Sequence, residues 1–194
     1  KGYITYAGRT NEAEAKFYSG ECPMLMSSSG AFANITRNAK FKFGVSQLPY
    51  YPDIPGAPQN SIIGGASLWV MSGHKPAEYK GIARFFTFLS NPELQAEWHQ
   101  ATGYLPITTA AYELTKKSGF YEKTPGPNVA VEQMITKTTN NSRGIRLGNF
   151  VQVRNAIEEE LEAVFSGKKD AQTALNDAVK RGNEILREFE AANK

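Results

Sequence analysis

A single cysteine, Cys22, stands in the whole sequence, so no disulfide can form within it. Beside the apolar run Pro23-Met24-Leu25-Met26, its thiol reads as an inert packed group. Histidine is almost as scarce. His74 follows a glycine in a turn and His99 sits beside Trp98 on a helix. Neither lies in a ligand-spaced cluster with Cys, Asp or Glu, which argues against a metal centre; both read as surface histidines. No apolar run approaches the roughly 20 residues a membrane span requires. Charge of neither sign prevails: the net charge is +3, without a basic stripe interleaved with aromatics, so nucleic acid is not an expected partner.

Catalytic motifs are missing too. There is no Gly-x-Ser-x-Gly, no cysteine near a candidate histidine and no P-loop. Glu158, Glu159 and Glu160 are consecutive on one helix, so their side chains diverge and cannot clamp one bond. The chain starts Lys1-Gly2-Tyr3-Ile4, with neither an initiator Met nor a signal peptide, as expected of a fragment or a processed product.

What is present is a soluble composition, 41% hydrophobic, organised largely into helices. Apolar spacing and stop signals predict helices over 11–19, 29–39, 77–89, 92–102, 108–117, 128–136, 150–165 and 170–192. The last should bury Ala174, Leu175, Ala178, Ile185 and Leu186, with Asp170 as its N-cap. Compact or alternating apolar runs predict strands at 23–26, 41–48 and 62–71, the last broken by Gly64-Gly65. Residues 50–60 are a proline-rich loop. Three strands are too few for eight helices to cover, and the expectation is that further strands lie on chain not present here.

Four places could hold a ligand. Ser27, Ser28 and Ser29 precede a helix start, where hydroxyls can cap the helix, and free N–H groups there also attract anions. Gly64-Gly65 is either a bulge or a place where backbone closely approaches a ligand. Tyr104, in the turn Gly103-Tyr104-Leu105-Pro106, is either packed on the surface or turned toward a polyol or phosphate. Arg146 and Arg154 flank the entry to the helix over 150–165. Each is either an ordinary exposed arginine or a guanidinium aimed at phosphate, whose geometry it matches in bidentate fashion.

Several segments, in order, resemble the family 1 extracellular solute-binding proteins, the maltose-binding-like class. They are Phe17 to Met26 followed by Ser27-Ser28-Ser29-Gly30, Phe43-Gly44-Val45 to Leu48-Pro49, and Gly64-Gly65-Ala66-Ser67-Leu68-Trp69-Val70. Ala83-Arg84-Phe85-Phe86 to Pro92-Glu93 and Thr102-Gly103-Tyr104-Leu105-Pro106 complete the set. Tyr6 to Glu12, Trp98 to Pro106 and Gly144 to Asn149 are similar to the branch of that family that takes sn-glycerol 3-phosphate.

The resemblance implies an α/β, periplasmic binding protein-like fold of type II, two-lobed, whose lobes close on ligand as a hinged clamp. It implies that residues 1–194 are the C-terminal half, contributing segments to both lobes and lacking the N-terminal half. The implied function is the periplasmic binding component of an ABC importer for sn-glycerol 3-phosphate, and for glycerophosphodiesters, without catalysis and without a cofactor. Its implied partners are the ligand, the transporter's membrane subunits and its own N-terminal half. Carried over residue by residue, the ligand contacts fall on Ser28, Gly65, Tyr104 and Arg154: a hydroxyl donor, a close backbone approach, a phenol and a phosphate-holding guanidinium. Arg146 rivals Arg154, because the stretch over 137–143 looks one residue short of the family pattern. A sugar-binding relative of the same fold is the alternative; it would rely on stacking aromatics. A phosphodiester hydrolase would need a metal cluster or a nucleophile–base pair, and the sequence offers neither.

Overall fold

Helices dominate the computed structural model, which describes residues 4–194. In chain order they are α1 (Ala13–Tyr18), α2 (Phe32–Asn38), α3 (Pro76–Leu89), α4 (Pro92–Thr102), α5 (Thr109–Lys117), α6 (Phe120–Lys123), α7 (Pro127–Ile135), α8 (Phe150–Phe165) and α9 (Ala171–Ala192). A 3-10 turn over Ser29–Ala31 leads directly into α2. The short α6 is the helix the apolar spacing did not foretell.

The expected strands at 23–26, 41–48 and 62–71 are not strands among the described residues, which contain no β-ladder. The reason is physical: a strand is completed by its neighbour, whose N–H and C=O groups close the ladder. Here those apolar runs stand largely open. Met24, Met26, Ile62, Ile63, Leu68, Trp69 and Met71 are all more than 60% exposed. Helix α3 likewise buries none of its residues.

The chain divides into two compact units, Ala7–Arg143 and Gly144–Lys194 with the start of the chain up to Tyr6. The larger unit has its core where α1 and α2 meet. Phe17, Ala31 and Ile35 are buried there, with Leu25, Ala39 and Phe43 packed against them. Phe17 meets Phe41 and Phe43 edge to face, at centroid distances of 5.5 and 6.1 Å, a favoured aromatic geometry. Further along, α4 packs on α5 and α5 on α6. Each start has a physical cause. Asn91 accepts a 3.0 Å bond from the Leu94 N–H ahead of Pro92, and Thr108 accepts one of 3.3 Å from Ala111.

The smaller unit is built on α8 packed along α9. Val153, Ala156 and Glu160 are buried on α8, and Ala174, Ala178 and Gly182 on α9. The α9 set recurs every four residues and is small, so the helices approach closely. Leu175 is half exposed rather than inside, because the seam turns toward Ala174 and Ala178. Asp170 caps α9 as expected, accepting from the Thr173 N–H at 3.0 Å.

Candidate functional site

Ser28 stands at the N-cap of the Ser29–Ala31 turn in extended conformation, and its Oγ accepts a bond from the Gly30 N–H at 3.2 Å. The capping role therefore uses a lone pair and leaves the hydroxyl hydrogen free to donate. Ser28 is exposed.

The serine run is anchored from beneath by a residue that sequence reasoning passed over. Glu14 is only 4% exposed. Its carboxylate accepts from Ser27 Oγ at 3.2 Å and from Asn34 Nδ2 at 3.1 Å. It thereby ties α1, the serine run and α2 together, and its buried charge is satisfied as burial demands. The available signal was its position three residues before Phe17, on the face of α1 that is buried.

Tyr104 comes to the same place. Helix α4 ends at Gly103, whose φ is +82°. A β-carbon there would fall 2.6 Å from the Ser29 carbonyl oxygen, so both the backbone conformation and the close approach require glycine. The following ring then lies against Gly30, where a β-carbon would sit 3.0 Å from Tyr104 Cζ. Tyr104 is half exposed.

His99 corrects the surface reading given to it: it is fully buried, at 0% exposure. Its Nδ1 lies 2.7 Å from the Tyr104 carbonyl and its Nε2 2.9 Å from the Tyr121 hydroxyl. A carbonyl only accepts, so Nδ1 carries the proton and Nε2 accepts from the tyrosine. Burial lowers the His99 pKa from its ordinary value, opposed by the bond to the Tyr104 carbonyl. Burial also pushes the Tyr121 phenol up, with Tyr112 and Glu132 adding to the effect. Tyr121 is 22 residues away in sequence, which is why the pairing was not legible there.

Gly65 has a φ of +106° and open space around its α-carbon. It is in the same unit as Ser28 and Tyr104. Arg154 and Arg146 belong to the other unit. Arg154, in the second turn of α8, is exposed and 3.8 Å from Glu158 one turn later. An exposed ion pair of that length is worth little, so the guanidinium can leave it at small cost. Arg146 is exposed in the irregular stretch before α8. The structure thus brings Tyr104 onto the turn that Ser28 caps; Gly65 belongs to the same unit and the arginines to the other.

Among the described residues no group of three or more His, Cys, Asp or Glu could hold a metal ion. No helix there is long and apolar enough to cross a membrane.

The fold has a solved counterpart. The crystal structure of UgpB from Mycobacterium tuberculosis in complex with glycerophosphocholine superposes with a TM-score of 0.72 at 24% identity, covering 90% of this chain and 43% of that one. The class is that of the periplasmic binding protein fold. Residues 1–127 match the model of the bacterial extracellular solute-binding protein family, and the chain belongs to that family. Among curated proteins it is 58% identical to the sn-glycerol-3-phosphate-binding periplasmic protein UgpB of Pectobacterium atrosepticum. Identity to the proteins of the same name is 56% in Yersinia pseudotuberculosis and 55% in Salmonella typhimurium. Each match takes in 100% of this chain and 44% of the relative. The chain therefore spans less than half the length of the curated relatives it matches.

Proposed function

We propose that the complete protein is the periplasmic solute-binding component of an ABC importer, that it takes up sn-glycerol 3-phosphate and glycerophosphodiesters, and that it releases them unchanged. The observation that carries this reading is the 55–58% identity, over the whole chain, to relatives named for sn-glycerol 3-phosphate. Local geometry supports it. Ser28 keeps a donor hydrogen on the turn against which the half-exposed Tyr104 ring lies, and donors of this kind suit phosphate and glycerol oxygens. We assign Ser28, Gly65, Tyr104 and Arg154 to the ligand, with Arg154 pairing phosphate oxygens in bidentate fashion. A diester retains two unesterified oxygens for that fork, so it remains a ligand.

Residues 1–194 supply part of each lobe in this reading, and the division of the chain into two compact units supports that assignment. The membrane subunits of the importer are the expected protein partner. Calorimetric titration of the intact protein with sn-glycerol 3-phosphate, a glycerophosphodiester, glycerol and a disaccharide tests the proposal. Saturable binding of the two phosphates alone is the expected result. Binding of the disaccharide in their place would move the protein to the sugar-binding alternative.

A further inference from the structure

We infer that His99 is a positioning residue for ligand binding: through its Nδ1–H it fixes the turn that carries Tyr104, and Tyr121 holds it in the tautomer that can do so. The inference rests on the assignment of Tyr104 to the ligand. Three observations carry it. His99 is completely buried. Both of its ring nitrogens are engaged, at 2.7 Å with the Tyr104 carbonyl and at 2.9 Å with the Tyr121 hydroxyl. The turn it grips is otherwise held by contacts that leave little slack. Gly103 lies against the Ser29 carbonyl, the Tyr104 N–H donates to Thr102 Oγ1 at 3.1 Å, and the Tyr104 ring lies on Gly30.

The chemistry follows from the donors. With Nδ1–H bonded to the carbonyl, Nε2 must find a hydrogen, and the Tyr121 O–H supplies one. Phe120 and Tyr121 close the ring in, at centroid distances of 6.3 and 5.8 Å, and Tyr112 lies tilted against Tyr121. The enclosure favours the neutral ring, in keeping with the lowered pKa of His99 and the raised pKa of Tyr121. A buried hydrogen bond to the carbonyl constrains the turn at the residue whose side chain meets the ligand, so its loss is read in affinity.

Two amide replacements separate this role from packing. His99→Asn places an N–H near the position of Nδ1, whereas His99→Gln places its amide toward Tyr121. Both should lower the melting temperature of the intact protein, as loss of a buried ring must. Titration with sn-glycerol 3-phosphate should then distinguish them. His99→Gln should bind about fivefold more weakly, one net hydrogen bond's worth, and His99→Asn within about twofold of wild type. In a Tyr104→Ala background, His99→Gln should cost nothing more, because the two act in series. Equal losses for Asn and Gln, or an undiminished loss in the Tyr104→Ala background, overturn the inference while leaving Tyr104 in place. Unchanged affinity in Tyr104→Phe and Tyr104→Ala removes the Tyr104 assignment and this inference with it. Should either amide variant fail to fold, histidine nitrogen-15 NMR on the wild type decides. A neutral ring protonated on Nδ1 at pH 7 is expected; a ring protonated on Nε2 overturns the inference.

Discussion

The ring of Tyr104 lies on the backbone of Gly30, where a β-carbon would come within 3.0 Å of Tyr104 Cζ. Gly30 has no strained φ, so the space above it, and not its backbone, is what an alanine would disturb. Gly30→Ala should therefore leave the fold intact and push the half-exposed ring aside. The expected result is a near-wild-type melting temperature with several-fold weaker binding of sn-glycerol 3-phosphate. Gly103→Ala is a different experiment. With φ at +82° and 2.6 Å to the Ser29 carbonyl, it should lose about 1–3 kcal/mol of stability. Denaturant titration of the two variants side by side checks the contrast.

Arg154 against Arg146 is the next test. Arg154→Ala in the complete protein should weaken sn-glycerol 3-phosphate by more than about tenfold, since one side of a charged pair is removed. Arg154→Lys should recover part of that, because an ammonium lacks the bidentate fork. Neither should unfold α8, as the side chain is exposed. If Arg146→Ala is the variant that abolishes binding, the phosphate contact lies before α8 and the assignment of Arg154 is wrong.

Much of this was legible in the sequence where a local signal sufficed. Asn91, Pro92 and Gly103 delimit α4, Asp170 caps α9, and Ser28 announces a helix start, because caps act through bonds two or three residues long. The apolar runs 23–26, 41–48 and 62–71 carry the composition of strands, but a ladder is a property of two segments, so composition alone could not deliver one. The fate of His99 was hidden for a related reason. Its partners are a carbonyl five residues on and a hydroxyl 22 residues on, and an isolated histidine beside Trp98 gives no sign of either. The approach of Tyr104 to the turn that Ser28 caps was not legible either, since it depends on Gly103 meeting the Ser29 carbonyl, more than 70 residues away in sequence.

Ligand charge gives a prediction in pH. A phosphate monoester has a second pKa of about 6, whereas a diester has none in that range. If a guanidinium and a hydroxyl donor select the dianion, affinity for sn-glycerol 3-phosphate should fall as pH drops from about 7 to about 5. Affinity for glycerophosphocholine should stay level over the same interval. Calorimetric titrations at several pH values check this; equal slopes for the two ligands would contradict it.

The α8–α9 pair carries its own pH signature. Glu160 is 8% exposed and takes bonds from Lys169 at 2.5 Å and Arg181 at 3.0 Å. These bonds, Lys169's first, hold its carboxyl below the ordinary value of 4.5. Bonds to Asp177 and Glu160 hold Lys169 above 10.5. A depressed acid stabilises the fold above its unfolded pKa, and that contribution is lost as pH falls through the folded one. A raised base contributes fully below 10.5 and loses its share only as pH rises beyond it. Glu160→Gln should therefore melt earlier than wild type at pH 7, and the gap should close as pH falls below the acid's unfolded pKa. Thermal melts of both proteins from neutral to acid pH provide the check.

We propose that Ser28, Gly65, Tyr104 and Arg154 of the complete protein contact a phosphate ester of glycerol. A crystal structure of the complete protein grown with sn-glycerol 3-phosphate tests it most directly. The expected result is ligand oxygens within hydrogen-bond distance of Ser28 Oγ, the Tyr104 phenol and the Arg154 guanidinium, with the Gly65 backbone against the ligand. A fully occupied ligand that touches none of these four residues would contradict it.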